Sequence, residues 1–352
     1  MSTFSATTAS CSLSSPAQTS SEPISSLFAR FGHVALPWEQ RAAGLVPRLP
    51  PLLRSGLLRL GPERRRSALA TFLRTRPLPP SLEQQLVDEV RRCWEGVPLP
   101  RPLPALIDDA RLIATLMAVE RKEAWSEGPS ACGRHLQISS LLPLENALLK
   151  GGAGAVVLTP SFGAWEHLAP GLARRGYRVG FLDLRPSTRR PARWPVPGPG
   201  LDLRVFSSTG YARPLVRFLG EKGSVLVVNG DECGSSRSGH GGLLGRSAQV
   251  ASTPFELARR VDVPLVPMFV VRERIGHVVL TESQIKVFDT GRGDGDLDAT
   301  SSRWLKLVER HARRRPEHYL AQLLIRHASR YDDSAPLFPD SVSSGESRRV
   351  RA

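Results

Sequence analysis

One stretch constrains the fold more than any other: Gly154-Ala-Val-Val-Leu-Thr-Pro-Ser-Phe-Gly-Ala-Trp-Glu-His-Leu168. Ala155 to Leu158 is an apolar run bounded by Gly154 and Pro160, which predicts a strand buried on both faces. Such a strand needs helices on both sides of its sheet, the mark of an α/β layer architecture. It runs into a Pro-Ser-Phe-Gly turn and then a helix that carries Glu166. A helix N-terminus at that turn gathers backbone N–H groups and a positive dipole end at one point. Ser161, Phe162, Gly163, Trp165, Glu166 and His167 make up that turn and the start of the helix.

The rest of the chain repeats the alternation. Ser81-Leu-Glu-Gln84 reads as a capping box, and the helix behind it carries Leu82, Leu86, Val90 and Trp94 on one face. A second helix, from about Pro104 to Trp125, spaces Ile107, Ala110, Ala114 and Met117 helically, and the two should cover one side of the sheet. Leu144 to Lys150 also reads as helical. Beyond strand 155–159 the pattern predicts helix 163–175, strand 177–182, an apolar run 201–206, helix 210–222 and strand 224–229. Helix 254–261, strands 264–272 and 277–281 and a final helix over about 301–315 follow. The expected fold class is α/β, with a largely parallel central sheet flanked by helices and an N-terminal helical annex. The expected organisation is a disordered Ser/Thr-rich tail (1–26), the annex (27–130), the α/β domain (131–335) and a disordered basic tail (336–352).

The formal net charge is +15, and with only five lysines nearly all of it is arginine. That charge favours anionic partners: lipid headgroups, an acidic carrier protein, a CoA phosphate or nucleic acid. Aromatics make up 6% of residues and form no basic-aromatic stripe for stacking bases, so a nucleic-acid partner is not expected. Four scattered cysteines, with no CxxC pair, point to a reducing compartment. No signal peptide and no run of about 18 apolar residues is visible, so a cytoplasmic protein is expected. Residues 36–80 leave two readings open: helices with a solvated arginine face, or a basic amphipathic segment resting on the inner face of a membrane.

The turn resembles the catalytic turn of the lysophospholipid acyltransferase superfamily, and most of all its lipid A (Kdo-lipid) late acyltransferase branch, which writes His-Phe-Gly-Asn-Trp-Glu. Phe162, Gly163, Trp165 and Glu166 match, and Ser161 stands where the branch has His. Four further segments resemble the branch in order: Leu144-Glu-Asn-Ala-Leu148, Phe181-Leu-Asp-Leu-Arg185-Pro, Val225 to Arg246 and Arg313-Arg-Arg-Pro-Glu-His-Tyr-Leu320. Within the third, Asp231-Glu-Cys233 stands for Asp-Gln-Asp, and Leu243-Leu-Gly245 for Phe-Phe-Gly. The resemblance covers roughly residues 100–330. It implies acyl transfer from an acyl-carrier-protein or CoA thioester to an acceptor alcohol or amine, with no cofactor. It also implies substrate contacts from Phe162, Gly163, Trp165, Arg185, Asp231, Gly245 and Arg246.

Acyl transfer needs a base for the acceptor and donors for the tetrahedral oxyanion. In the branch His is the base and the acidic residue five positions on orients it. A serine hydroxyl is not basic near neutral pH, so Ser161 leaves three readings open. It can be the N-cap of helix 163–175. Another group, Glu166, His167 or His240, can serve as base. Or Ser161 can itself be acylated, although the chain has no Gly-x-Ser-x-Gly elbow. The losses at the turn also favour a second function class, a non-catalytic pseudo-acyltransferase that binds acyl chains or a partner enzyme.

Other motifs carry less. Cys132-Gly-Arg-His135 lacks two further ligands for zinc, so no metal is expected. Asp294-Gly-Asp-Leu-Asp298 lacks the twelfth-position Glu of a calcium loop. Gly239 to Gly245 lacks the Lys-Ser/Thr ending of a phosphate loop and reads as a mobile loop near the pocket. Pro264-Leu-Val-Pro267 reads as a strand with prolines at a sheet edge.

Overall fold

The computed structural model describes residues 56–57, 59–127, 136–183, 200–207, 212–231, 238–274 and 276–328. Both expected tails, residues 27–55 of the annex, the Cys132–His135 motif and Arg185 lie outside the described residues.

Seven strands form one sheet: β1 (Leu136–Ile138), β2 (Ala155–Thr159), β3 (Arg178–Asp183), β4 (Leu203–Ser207), β5 (Ser224–Asn229), β8 (Leu265–Arg272) and β9 (His277–Thr281), in the order β1-β9-β8-β2-β5-β3-β4. Every neighbouring pair is parallel except β8–β9. This is the expected α/β class with a largely parallel sheet and helices on both faces.

The apolar strands fold this way because each must bury two faces. Side chains alternate across a strand, and the core divides accordingly. Val156, Leu158, Leu226, Val228 and Phe269 share one cluster; Ala155, Val157, Val225, Val227 and Val270 share the other. The first face is covered by α2 (Pro80–Cys93), α3 (Leu103–Glu127), α6 (Ala212–Gly220), α7 (Thr253–Val261), α8 (Asp294–Arg314) and α9 (Pro316–Ala328), through residues such as Leu86, Ile107, Phe218, Phe255, Trp304 and Leu320. The second is covered by α4 (Leu142–Gly151), a 3-10 turn (Trp165–His167) and α5 (Leu168–Ala173). A further helix, α1 (Pro62–Arg74), precedes these.

Several expectations need correction. Helix α2 begins at Pro80 behind an N-cap Pro79 that makes no side-chain cap, so Ser81 lies inside the helix and forms no capping box; a proline at the first helical position is already set to the helical φ. The helix expected over 163–175 is a 3-10 turn followed by six α residues. Pro267 is on no edge, because β8 lies between β9 and β2. It precedes the first β8–β9 pair, Met268 with Thr281, so its missing N–H falls at the end of that ladder.

The glycine-rich loop is in fact a strand. Ser238–Leu243 (β6) pairs antiparallel with Arg246–Ala251 (β7). Leu244 and Gly245 join them with φ of 51° and 77°, the sign pattern of a two-residue hairpin turn. Gly239 and Gly241 of β6 are explained by close packing on α8. A Cβ at Gly239 would stand 1.9 Å from Ser301 Oγ, and one at Gly241 would stand 2.8 Å from Leu305. The carboxylates of 294–298 open α8, so the helix expected from about 301 starts earlier, and a second C-terminal helix follows it across Pro316.

Candidate functional site

The ends of β2 and β5 define the site. From β2 the chain leaves through the 3-10 turn and α5, on the Val157 face. From β5 it leaves through the hairpin and α7, on the Val156 face. Adjacent parallel strands whose connections depart to opposite faces open a crevice at their carboxyl ends, the usual ligand position in an open α/β sheet.

Three polar side chains meet there. The Ser161 N–H donates to Asp231 Oδ2 at 2.7 Å, and the Ser161 hydroxyl donates to Asp231 Oδ1 at 2.7 Å. Asn229 Nδ2 donates to Ser161 Oγ at 2.8 Å, and the Asp231 N–H donates to Asn229 Oδ1 at 3.0 Å. All three residues are buried. The two strand ends are also joined by the Gly230 N–H donating to the Thr159 carbonyl at 2.9 Å. Trp304 of α8 donates its indole N–H to the Gly230 carbonyl at 3.1 Å and so holds the loop from above.

This arrangement overturns the helix-cap reading of Ser161. The 3-10 turn has Ala164 as its N-cap with no side-chain bond, and the Ser161 hydroxyl goes to Asp231 instead. Phe162 is buried and packs on Phe269 with ring centroids 6.4 Å apart. Gly163 has φ of 55°, and a Cβ there would stand 1.9 Å from the Val270 carbonyl oxygen. Only glycine fits the turn against β8. Trp165 stacks on Phe181 at 5.9 Å within the second core. Glu166 is buried, and His167 is half-buried.

A second polar cluster lies at the same carboxyl end of the sheet. The carboxylate Oε2 of Glu120 accepts from His277 Nε2 at 2.7 Å and from Arg272 Nη1 at 2.5 Å. The Arg272 N–H donates to His318 Nε2 at 2.7 Å. All four side chains are buried. Burial alone would raise the Glu120 carboxyl, but His277 and Arg272 outweigh it and hold the group well below the usual carboxylate range. Burial lowers the His277 imidazole, more than the Glu120 carboxylate raises it, and so favours its neutral form. Among the described residues Arg272 Nε, His277 Nδ1 and His318 Nδ1 have no hydrogen-bond partner, and His318 Nδ1 lies 3.5 Å from Glu317 Oε1. The His167 ring lies 6.0 Å from that of His277, which brings this cluster to the turn.

The remaining sequence candidates are elsewhere or differently employed. Gly245 is the second residue of the hairpin turn. Arg246 lies 3.7 Å from Glu89, in a cluster where Tyr319 donates to Glu89 at 2.8 Å. His240 pairs with Asp298 at 3.2 Å on the half-exposed outer side of β6. Sequence reasoning missed Asn229, Trp304, Glu120, Arg272, His277 and His318. Asn229 was visible as the polar end of an apolar strand; the others become neighbours only through tertiary packing.

Among the described residues no group of His, Cys, Asp or Glu side chains is placed to hold a metal ion, and no helix is long and apolar enough to cross a membrane. No protein-family model matches the chain, and no curated protein matches its sequence.

Proposed function

We propose that the chain is an acyltransferase-like protein. It would carry an acyl group from an acyl-carrier-protein or CoA thioester to a hydroxyl or amine of a lipid or specialised metabolite, in the cytoplasm or at the inner face of a membrane. The proposal includes the finer fold: a glycerolipid acyltransferase-like α/β domain preceded by a helical annex. One observation carries it: the Pro-Ser-Phe-Gly turn, which resembles an acyltransferase catalytic turn, sits at the switch-point crevice of the sheet, held by Asp231.

In such a reaction the acceptor loses its proton to a base and its oxygen or nitrogen attacks the thioester carbonyl. The carbon–sulfur bond then breaks, and the thiolate takes up a proton. Ser161 does not fill the role of base, because its hydroxyl donates to Asp231 and accepts from Asn229. Glu166 and His167, on the 3-10 turn, are the candidates for it.

The same saturation of Ser161 favours a second reading, a pseudo-acyltransferase that binds an acyl chain or a partner enzyme without turnover. Incubation with a panel of acyl-CoA and acyl-carrier thioesters, followed by intact-mass spectrometry, separates the two. Turnover by wild type that is lost in Glu166→Ala supports the enzyme. Binding without turnover, with activity appearing only in Ser161→His, supports the pseudoenzyme. Neither binding nor turnover, across the panel, rejects both.

A further inference from the structure

Among the described strands β4 is last in the sheet order and pairs with β3 alone. Arg204 and Phe206 are two residues apart on it and so share a face. Helix α6 lies over that face and adds Arg213, Pro214, Arg217 and Phe218. With Glu221 these residues line a cavity of about 300 Å³.

Its charge is one-sided. Among the described residues none of Arg204, Arg213 and Arg217 meets a carboxylate. Among the described lining residues the one acid, Glu221, is taken by Arg178 at 2.6 Å. Three guanidiniums that meet no carboxylate among the described residues suit phosphate oxygens, which such groups bind through charge-assisted, forked hydrogen bonds. The wall is apolar: Phe206 and Phe218 pack edge-on at 5.5 Å, and Arg204 lies over Phe218 at 5.8 Å. Phosphates beside an aromatic wall, in a volume at the small end of ligand sites, describe a nucleotide-sized ligand better than a protein surface.

The position relates the cavity to the turn. Phe206 is in register with Leu182, Leu182 with Val228 and Val228 with Leu158. Phe206 is therefore three strand spacings, roughly 14 Å, from Leu158 on the strand that leads into the turn, a distance a pantetheine arm spans. We propose that this cavity binds the phosphoadenosine end of coenzyme A, with the thioester directed towards the turn. The proposal rests on the acyl-thioester reading above and selects CoA as its donor.

The test is equilibrium binding of adenosine 3′,5′-bisphosphate to the full chain, with CoA and inorganic phosphate as competitors. The variants are Arg213→Gln, Arg217→Gln and the pair together, with the exposed Arg91→Gln as a charge control. The expected result is binding that CoA displaces and equimolar phosphate does not. It should weaken about tenfold in each single variant and about a hundredfold in the double, with Arg91→Gln unchanged. Equal affinity in wild type and the double variant overturns the proposal, as does equal weakening by Arg91→Gln or equal displacement by phosphate. Bisphosphate binding of the expected pattern, without turnover of any thioester, upholds the cavity and rejects acyl transfer. Turnover of a carrier-protein thioester without bisphosphate binding does the reverse.

Discussion

Two buried polar clusters sit at the same end of the sheet and are built on opposite terms. Around Ser161 each hydrogen bond is local to two adjacent strand ends, and donors and acceptors are matched. Around Glu120 four ionisable groups come from α3, β8, β9 and α9, and among the described residues three of their nitrogens make no hydrogen bond. A matched cluster fixes geometry and adds stability. A cluster with orphaned nitrogens costs stability for the burial it requires. The difference teaches that the turn is held as a rigid clamp, while the unsatisfied hydrogen-bonding capacity of this end of the sheet lies beside His167.

The comparison breaks most visibly at Glu120. Glu120→Leu leaves Arg272 and His277 buried without their carboxylate and should cost about 3–5 kcal/mol in denaturant unfolding. Pairing it with Arg272→Met should recover most of that loss, since an apolar replacement of a buried ion pair is often neutral. No recovery would mean that the cluster is a net source of stability.

Gly163→Ala should cost about 2–4 kcal/mol, because the new Cβ meets the Val270 carbonyl at a φ that disfavours side chains. Asp231→Ala should cost about 2–3 kcal/mol by leaving the Ser161 N–H and hydroxyl without their acceptors. Ser161→Ala removes one partner of a matched set and should cost about 1 kcal/mol. If Ser161→Ala proves as costly as Asp231→Ala, the clamp is not centred on the carboxylate.

Acid should act on the two clusters unequally. His277, and outside the clusters His311 of α8, whose Nε2 lies 2.8 Å from Glu282, are both lowered, chiefly by burial. Below the ordinary imidazole value of 6.5 the unfolded chain takes up protons that these groups refuse in the fold. Their contribution is therefore present above that value and lost as pH falls through it. The depressed carboxyl of Glu120 adds a second loss beginning below its ordinary 4.5. Stability should decline from about pH 7 downward, first gently and then steeply. Chemical unfolding as a function of pH checks this, and a flat profile across the first stage would contradict the neutral burial of His277.

What could be read from the sequence followed from local pattern. Strands 224–229 and 277–281 match the structure at both ends, because each is an apolar run closed by polar or turn residues. The turn at Ser161 was also legible. The hairpin was not, because Gly239 and Gly241 are set by the approach of α8, and a run of glycines hides the turn at Leu244 and Gly245. Helix α9 was hidden behind Pro316, which begins a helix as readily as it ends one. Glu120 and His277 are 157 positions apart, and no local pattern joins them. The role of Asp231 was half visible: its position marked the end of a strand, and only packing revealed Ser161 as its partner.

The crevice at the ends of β2 and β5 is the proposed seat of the acyl thioester. The most direct measurement is photo-crosslinking with an acyl-CoA that carries a diazirine beside the thioester carbonyl, followed by peptide mapping of the full chain. Labelling concentrated on residues 160–168 and 229–231, and lost on competition with unlabelled acyl-CoA, is the predicted result. Competable labelling that falls elsewhere on the chain would contradict it.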